Sequence, residues 1–178
     1  FIFTKDDITL RRFLNYYDDN NCHALGINWL MFGSNYHNKK QNGLLIDNYI
    51  RCDMDKNKNC KVNQHIKTIC KPRFVKNVHN PHFVDLHNPK KYLDPDRNMI
   101  SGPFNNNGNF NKIQINHYWG KSLSEYKKKL KRGNPDTLRK RKFIDNYIYM
   151  YNGIKNKLLK NRYSFMVKKE LKKLYKLN

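Results

Sequence analysis

Alternating apolar and polar residues mark three strands in the first two thirds of the chain. Between Ala24 and Phe32 one alternating set is wholly apolar: Leu25, Ile27, Trp29 and Met31. The same period of two, typical of a half-buried strand, recurs at 64–70 and at 113–117. The opening residues, Phe1-Ile2-Phe3, resemble the end of a buried strand. The pattern therefore predicts at least four strands.

Helical spacing and capping signals mark the other regular elements. Thr4-Lys5-Asp6-Asp7 is typical of a helix N-terminus, and Ser122-Leu123-Ser124-Glu125 is a capping box that precedes a helix ending at Gly133. Near the C-terminus, apolar residues recur on one helical face in two further segments. The predicted helices cover 4–17, 123–133, 136–151 and 154–177.

The segments between these elements are polar and vary in length. Residues 33–43 and 53–63 are predicted loops, 86–111 is an extended loop rich in Asn, Pro and Gly, and 44–52 has no clear type. Strands interspersed with helices indicate the α/β class. We expect one main domain over 1–150, followed by a basic helical tail over 151–178.

The charge balance changes this picture only in part. The chain has 36 Lys and Arg against 14 Asp and Glu, a formal net charge of +22. Such a charge favours anionic partners, and a nucleic-acid-binding module without enzymatic activity is the main alternative function. However, Lys, Asn, Ile and Tyr are all abundant, as A/T-rich codons would make them, and the lysines are spread along the chain. The basic C-terminal helices either pack on their own domain or make a peripheral contact with an anionic membrane.

No signal peptide or run of about 18 apolar residues is found, so no membrane span is predicted. The chain opens without an initiator Met, and we expect that an N-terminal part is missing. The four cysteines form no C-x-x-C pair, which disfavours a zinc ribbon. Buried thiols are expected, with a Cys52–Cys60 disulfide as the alternative in an oxidising compartment.

The junction between the strand at 113–117 and the helix after Ser122 is the strongest candidate site. A strand end followed by a helix N-terminus favours an anionic ligand, because backbone amides and the helix dipole converge there. His117 and Lys121 add an imidazole and an ammonium. The junction is therefore a candidate for binding a metal-bound diphosphate. A core histidine and a solvated lysine form the alternative.

Three stretches, taken together, resemble glycosyltransferase family 92 and its relatives with a GT-A fold. Residues 29–37 (WLMFGSNYH) are similar to the family's W-x-x-F-G-[ST]-x-x-H, and 65–72 (HIKTICKP) to its H-V-K-[ST]-I-V-[RK]-P. Residues 115–122 (INHYWGKS) resemble its I-N-H-Y-x-x-K-S. The three occur in the family's order and cover most of residues 1 to about 150.

This resemblance implies a hexosyltransferase that transfers a sugar from a UDP-sugar to a glycan hydroxyl. For the sugar, the family favours galactose. The family uses a divalent ion such as Mn²⁺, held by an Asp-x-Asp-Glu motif just before a segment like Phe1-Ile2-Phe3. That motif and the N-terminal nucleotide-binding strands are absent here. The chain therefore resembles the acceptor-side part of a GT-A domain, and alone it is expected to be inactive. Asp53-Met54-Asp55 and Asp94-Pro95-Asp96 match Asp-x-Asp but lie downstream, in polar loops, and are disfavoured as substitutes.

The resemblance also assigns roles to individual residues. His117 is the implied metal ligand, Lys121 contacts a phosphate oxygen, and Gly120 lets the backbone approach closely. Asp47, after Gly43-Leu44-Leu45-Ile46, is the candidate base for an inverting transfer, although the family has Glu there, and a surface aspartate is the alternative. The implied substrate-binding set is completed by Trp29, Phe32, Gly33, Ser34, His37, His65, Lys67 and His82. For Trp29 and Phe32, a place in the core is the alternative.

Overall fold

The computed structural model describes residues 1–6, 8–54, 61–134, 140 and 142–176. The fold is mixed α/β, and contacts divide the chain into two compact units. Unit 1 consists of Phe1–Leu30 and Lys56–His117, and unit 2 consists of Met31–Asp55 and Tyr118–Asn178. Among the described residues, no helix is long and apolar enough to cross a membrane.

The regular elements of the described residues are short except for the second strand and the last helix. The strands are β1 (Ile2–Thr4), β2 (Ala24–Phe32), β3 (Arg51–Cys52), β4 (Ile66–Cys70), β5 (Val75–Asn77), β6 (Asp85–Leu86), β7 (Tyr92–Leu93), β8 (Ile113–Tyr118) and β9 (Ile154–Lys155). The α-helices are α1 (Leu10–Asp19), α2 (Leu45–Asn48), α3 (Leu123–Arg132) and α4 (Leu158–Lys176). Single turns of 3₁₀-helix occur at Lys61–Gln64, Pro72–Phe74, Pro89–Lys91 and Tyr147–Tyr149.

Unit 1 is organised around β2. Strand β4 pairs with it antiparallel, β7 pairs with it parallel, β8 is its neighbour on the sheet, and β1 pairs antiparallel with β8. All nine residues of β2 are buried, so both faces of the strand are covered. Helix α1 covers one face, where Phe13 and Tyr17 pack against Leu25, Ile27 and Ile113.

Unit 2 contains the end of β2, which pairs with β3, and β9 pairs with the other edge of β3. The predicted capping box of α3 is confirmed: the Ser122 hydroxyl accepts from the Glu125 amide, and the Glu125 carboxylate accepts from the Ser122 amide. The α3 helix ends at Gly133 as expected. The Tyr126 ring stacks on the Tyr147 ring with centroids 3.8 Å apart.

Three helix predictions are wrong in their position or type. The helix predicted over 154–177 begins only at Leu158, because Ile154 and Lys155 pair with β3 as β9. Helix α1 begins at Leu10 with Thr9 as its cap, because Thr4 belongs to β1 and its hydroxyl donates to the Ile8 carbonyl at 2.6 Å. The helix predicted over 136–151 is absent from the described residues 142–151, which contain only one 3₁₀ turn. Tyr147 lies in this turn, and its ring stacks on that of Tyr126. Residues 135–139 and 141 lie outside the described part.

Polar side chains are more deeply buried than the strand patterns predicted. Gln114 is fully buried and Asn116 nearly so, although both occupy the polar positions of β8. The Gln114 amide donates to the Asn116 side chain, and its oxygen accepts from Lys5 Nζ at 2.6 Å. Pairing of this kind removes most of the cost of burying an amide. Cys22 and Cys70 are free thiols, and Cys60 lies outside the described residues.

Candidate functional site

Four rings from distant parts of the chain meet in unit 1. The indole of Trp29 stacks on the His117 ring, with centroids 4.3 Å apart and planes 8° apart. The His65 ring stacks on the same indole at 4.9 Å, and the His82 ring meets it edge-on at 5.1 Å. We call Trp29, His65, His82 and His117 the imidazole cluster.

Sheet pairing places these rings together. Trp29 lies on β2, its amide donates to the His65 carbonyl at 3.1 Å, and β4 starts at the next residue after His65. His117 lies near the end of β8. The Trp29 indole nitrogen donates to the Val62 carbonyl at 2.7 Å, and only 7% of the side chain is exposed. Trp29 therefore holds the imidazoles in place and offers little surface for stacking on a sugar.

The protonation of two histidines follows from their surroundings. His82 Nδ1 lies 3.1 Å from the Ile66 carbonyl, which can only accept, so Nδ1 carries the proton and Nε2 keeps its lone pair. Burial lowers the pKa of His82, although the Ile66 hydrogen bond opposes the shift. Burial also lowers the pKa of His65, and the charges of His82 and Lys67 add to this effect. Both imidazoles are therefore neutral at pH 7.

Two further side chains border the cluster. Lys67 Nζ lies 5.7 Å from the Trp29 ring centroid and donates to the Pro81 carbonyl at 3.0 Å, and burial lowers its pKa. Phe104 is 50% exposed, and its ring lies 4.5 Å from the His65 ring. Phe104 was not predicted. Its only signal in the sequence is an aromatic residue within a loop rich in Asn, Gly and Pro.

The described residues do not form a complete metal site. Among them, no group of three or more His, Cys, Asp or Glu side chains could hold an ion. Asp94 is 1% exposed, and its carboxylate accepts hydrogen bonds from the amides of Asp96 and Asn98. Asp96 pairs with Lys112 at 2.9 Å, and Asp55 lies outside the described residues. The role of His117 as a metal ligand stays a prediction.

The rest of the first motif packs within unit 2. The Phe32 ring lies 4.8 Å from that of Tyr118. A Cβ on Gly33 would come within 2.5 Å of the Met150 carbonyl, and the fully buried Ser34 hydroxyl donates to the Ile148 carbonyl. His37 Nε2 lies 3.0 Å from the Asn48 carbonyl. These contacts hold the segment in place within unit 2, and the substrate-binding roles of Phe32, Gly33, Ser34 and His37 stay predictions.

A basic cleft in unit 2 contains two more predicted site residues, Gly120 and Lys121. Its volume is about 420 Å³, and it is lined by Trp119, Gly120, Lys121, Glu125, Lys128, Lys129 and Arg132. Lys121 Nζ lies 3.4 Å from the Glu125 carboxylate. The backbone of Lys121 is left-handed, with a φ of 60°. Four cations against one carboxylate make the cleft suitable for a phosphate. Gly120 is required by packing, because a Cβ there would lie 2.0 Å from a tyrosine hydroxyl.

Asp47 lies in α2, and an ammonium from α4 contacts it. Lys168 Nζ is 2.6 Å from Asp47 Oδ2, and the Asp47 side chain is 14% exposed. Burial raises the pKa of Asp47, but hydrogen bonds from Lys168 and Ser164 outweigh it and leave the pKa below its usual range. The contact ties α2 to α4. The role of Asp47 as a base stays a prediction.

Of the predicted site residues, unit 1 therefore brings together Trp29, His65, Lys67, His82 and His117. The others belong to unit 2: Phe32, Gly33, Ser34, His37, Asp47, Gly120 and Lys121.

Compared with known protein-family models, curated proteins and solved structures, the chain has no match.

Proposed function

We propose that this chain is the acceptor-side part of a GT-A-like glycosyltransferase, which transfers a sugar from a UDP-sugar to a glycan hydroxyl. The supporting observation is the convergence of the three stretches that resemble family 92. Each stretch contributes one ring to the imidazole cluster: Trp29 from the first, His65 from the second and His117 from the third. The convergence brings together residues that are far apart in the chain.

The cluster has the chemistry of a carbohydrate site. The lone pair on His82 Nε2 can accept a hydrogen bond from a sugar hydroxyl, and the Lys67 ammonium can donate one. The exposed face of Phe104 can stack on the apolar face of a pyranose ring. Neutral imidazoles suit this task, because they bind uncharged hydroxyls without the cost of desolvating a charge.

His117 would supply one ligand to Mn²⁺, and carboxylates outside this chain would supply the others. A divalent ion in such a site stabilises the negative charge of the leaving diphosphate. Stacking on Trp29 fixes the plane of the His117 ring, as a metal-binding imidazole requires. The basic cleft around Lys121 is the proposed phosphate contact.

The base for deprotonating the acceptor is proposed to be Asp47. A general base works best when its pKa is near the working pH. The Lys168 ion pair lowers the pKa of Asp47, so the carboxylate must leave that ion pair before it can accept a proton efficiently.

Titration of the isotopically labelled chain with methyl β-galactoside, methyl β-glucoside and N-acetylglucosamine tests the sugar site. We expect NMR shifts of His65, His82 and Phe104 for at least one glycoside. Phe104→Ala should weaken that response, whereas Phe143→Ala, which removes another exposed aromatic ring, should not. If no glycoside shifts these residues, or if both variants weaken binding equally, the sugar site is refuted.

The rival function, nucleic-acid binding, draws support from the cations of the basic cleft. The backbone phosphates of a nucleic acid would contact the same lysines as a nucleotide diphosphate. The two differ in their response to salt and to competitors. Binding of random duplex DNA with a steep salt dependence, combined with no binding of UDP or glycosides, would favour the rival.

A further inference from the structure

Helix α4 carries an exposed surface that is both basic and apolar. Its first half is anchored, because Leu159 and Ser164 are buried. Further along, the Lys168 ammonium pairs with Asp47. From Phe165 to Tyr175, every residue except Leu171 is exposed. The helix contains seven Lys and Arg and one Glu.

One side of this exposed half combines two apolar side chains with three lysines. With 3.6 residues per turn, Phe165, Met166, Lys169, Lys172 and Lys173 fall within an arc of about 120°. We call these five residues the α4 patch. Phe165 is 79% exposed and Met166 is 60% exposed, which is high for large apolar side chains. Glu170 lies beside the arc and pairs with Lys173 at 2.8 Å.

We propose that the α4 patch docks on an anionic lipid bilayer, with the helix lying in the plane of the surface. Phe165 and Met166 would enter the boundary between headgroups and acyl chains, and the lysines would contact lipid phosphates. The occupant follows from charge complementarity, because Lys169, Lys172 and Lys173 share one arc of the helix with the two apolar side chains, and this combination suits a surface that is anionic outside and apolar beneath. Lysine stems also allow the ammonium to remain at the headgroups while the methylenes lie deeper.

A nucleic acid fits this patch less well. Its phosphates would satisfy the lysines, but they would leave Phe165 and Met166 in contact with a charged backbone. A bilayer provides a partner for both kinds of side chain.

Co-sedimentation with phosphatidylcholine vesicles, with and without phosphatidylserine, tests the proposal on the purified chain. We expect binding only when phosphatidylserine is present, and binding that weakens as salt is raised. Removing three charges with K169Q/K172Q/K173Q should weaken the affinity by about tenfold or more. The F165S/M166S variant, which keeps every charge, should also lose binding.

A matched control separates this patch from the net charge of the whole protein. The variant K127Q/K131Q/K157Q removes three exposed lysines elsewhere and should bind the vesicles as the unmodified chain does. Circular dichroism checks whether each variant keeps its helices.

Three results would overturn the proposal. The first is absence of binding to the anionic vesicles by the folded chain. The second is an equal loss in the control and in the patch variants. The third is self-association that F165S/M166S abolishes while vesicle binding stays unchanged. None of these results bears on the sugar site, because the assay contains neither glycoside nor nucleotide.

Discussion

Replacing Trp29 with leucine should disorganise the imidazole cluster and destabilise the protein. The substitution removes an indole N–H that bonds to Val62 at 2.7 Å, for a net cost of about 1 kcal/mol. It also removes two stacked ring contacts, for about 1 kcal/mol, and some buried apolar area, for a similar amount. The expected loss is therefore about 3 kcal/mol, since a side chain that is only 7% exposed has little room to relax.

The assay combines thermal unfolding with NMR of the histidine rings. For a chain of this length, the expected loss lowers the melting temperature by about 6–12 °C. The His65, His82 and His117 ring signals should move as the indole ring current disappears. Trp119→Leu provides the control, because Trp119 is the only other tryptophan and lies in unit 2. Lys129 Nζ lies 4.4 Å from the centroid of its ring. The histidine signals of Trp119→Leu should stay in place. Equal melting temperatures for the two variants, with unmoved histidine signals in both, would refute the stacked cluster.

Three other predictions follow from the structure. Because the pKa values of His65 and His82 lie below their usual value of about 6.5, the unfolded chain binds more protons below that pH, and the free energy of unfolding should fall as the pH decreases from 7 to about 5. Urea titrations should show a shallower fall for His65→Gln/His82→Gln, and an unchanged slope would contradict the assignment. If Asp47 is the base, Asp47→Asn in the active enzyme should keep donor binding and lose transfer. Lys168→Gln, which breaks the same ion pair, should lose about as much stability as Asp47→Asn and keep transfer. Equal losses of transfer in the two variants would indicate a structural role for Asp47. Gly120→Ala should cost about 1–3 kcal/mol in thermal unfolding, because its methyl group would overlap a tyrosine hydroxyl, and a neutral result would contradict that packing.

The elements that the sequence predicted well are those with a local physical cause. The bounds of β2 match the prediction, and α3 begins and ends at its predicted caps. Period and capping depend on neighbours in the chain, so they can be read from the sequence. The segment at 136–151 shows the limit. Its helical spacing arises partly from Tyr147, whose ring packs on Tyr126 from a turn.

The candidate site was predictable as a set of residues and not as an arrangement. The resemblance selected Trp29, His65 and His117 individually, but their stacking depends on the pairing of distant strands, which no local pattern specifies. Phe104 was missed because its loop has no periodic pattern. The partner of Asp47 was missed because Lys168 lies in a distant helix.

The role proposed for His117 is tested most directly by paramagnetic broadening of the histidine ring signals in the presence of Mn²⁺ and UDP. This measurement detects weak binding, which is what a single protein ligand would give. We expect the His117 signals to broaden at Mn²⁺ concentrations that leave the exposed His87 unchanged. Broadening of the His87 signals first, or His117 signals that do not broaden at all, would contradict the role of His117 as a metal ligand and with it the proposed metal-dependent transferase.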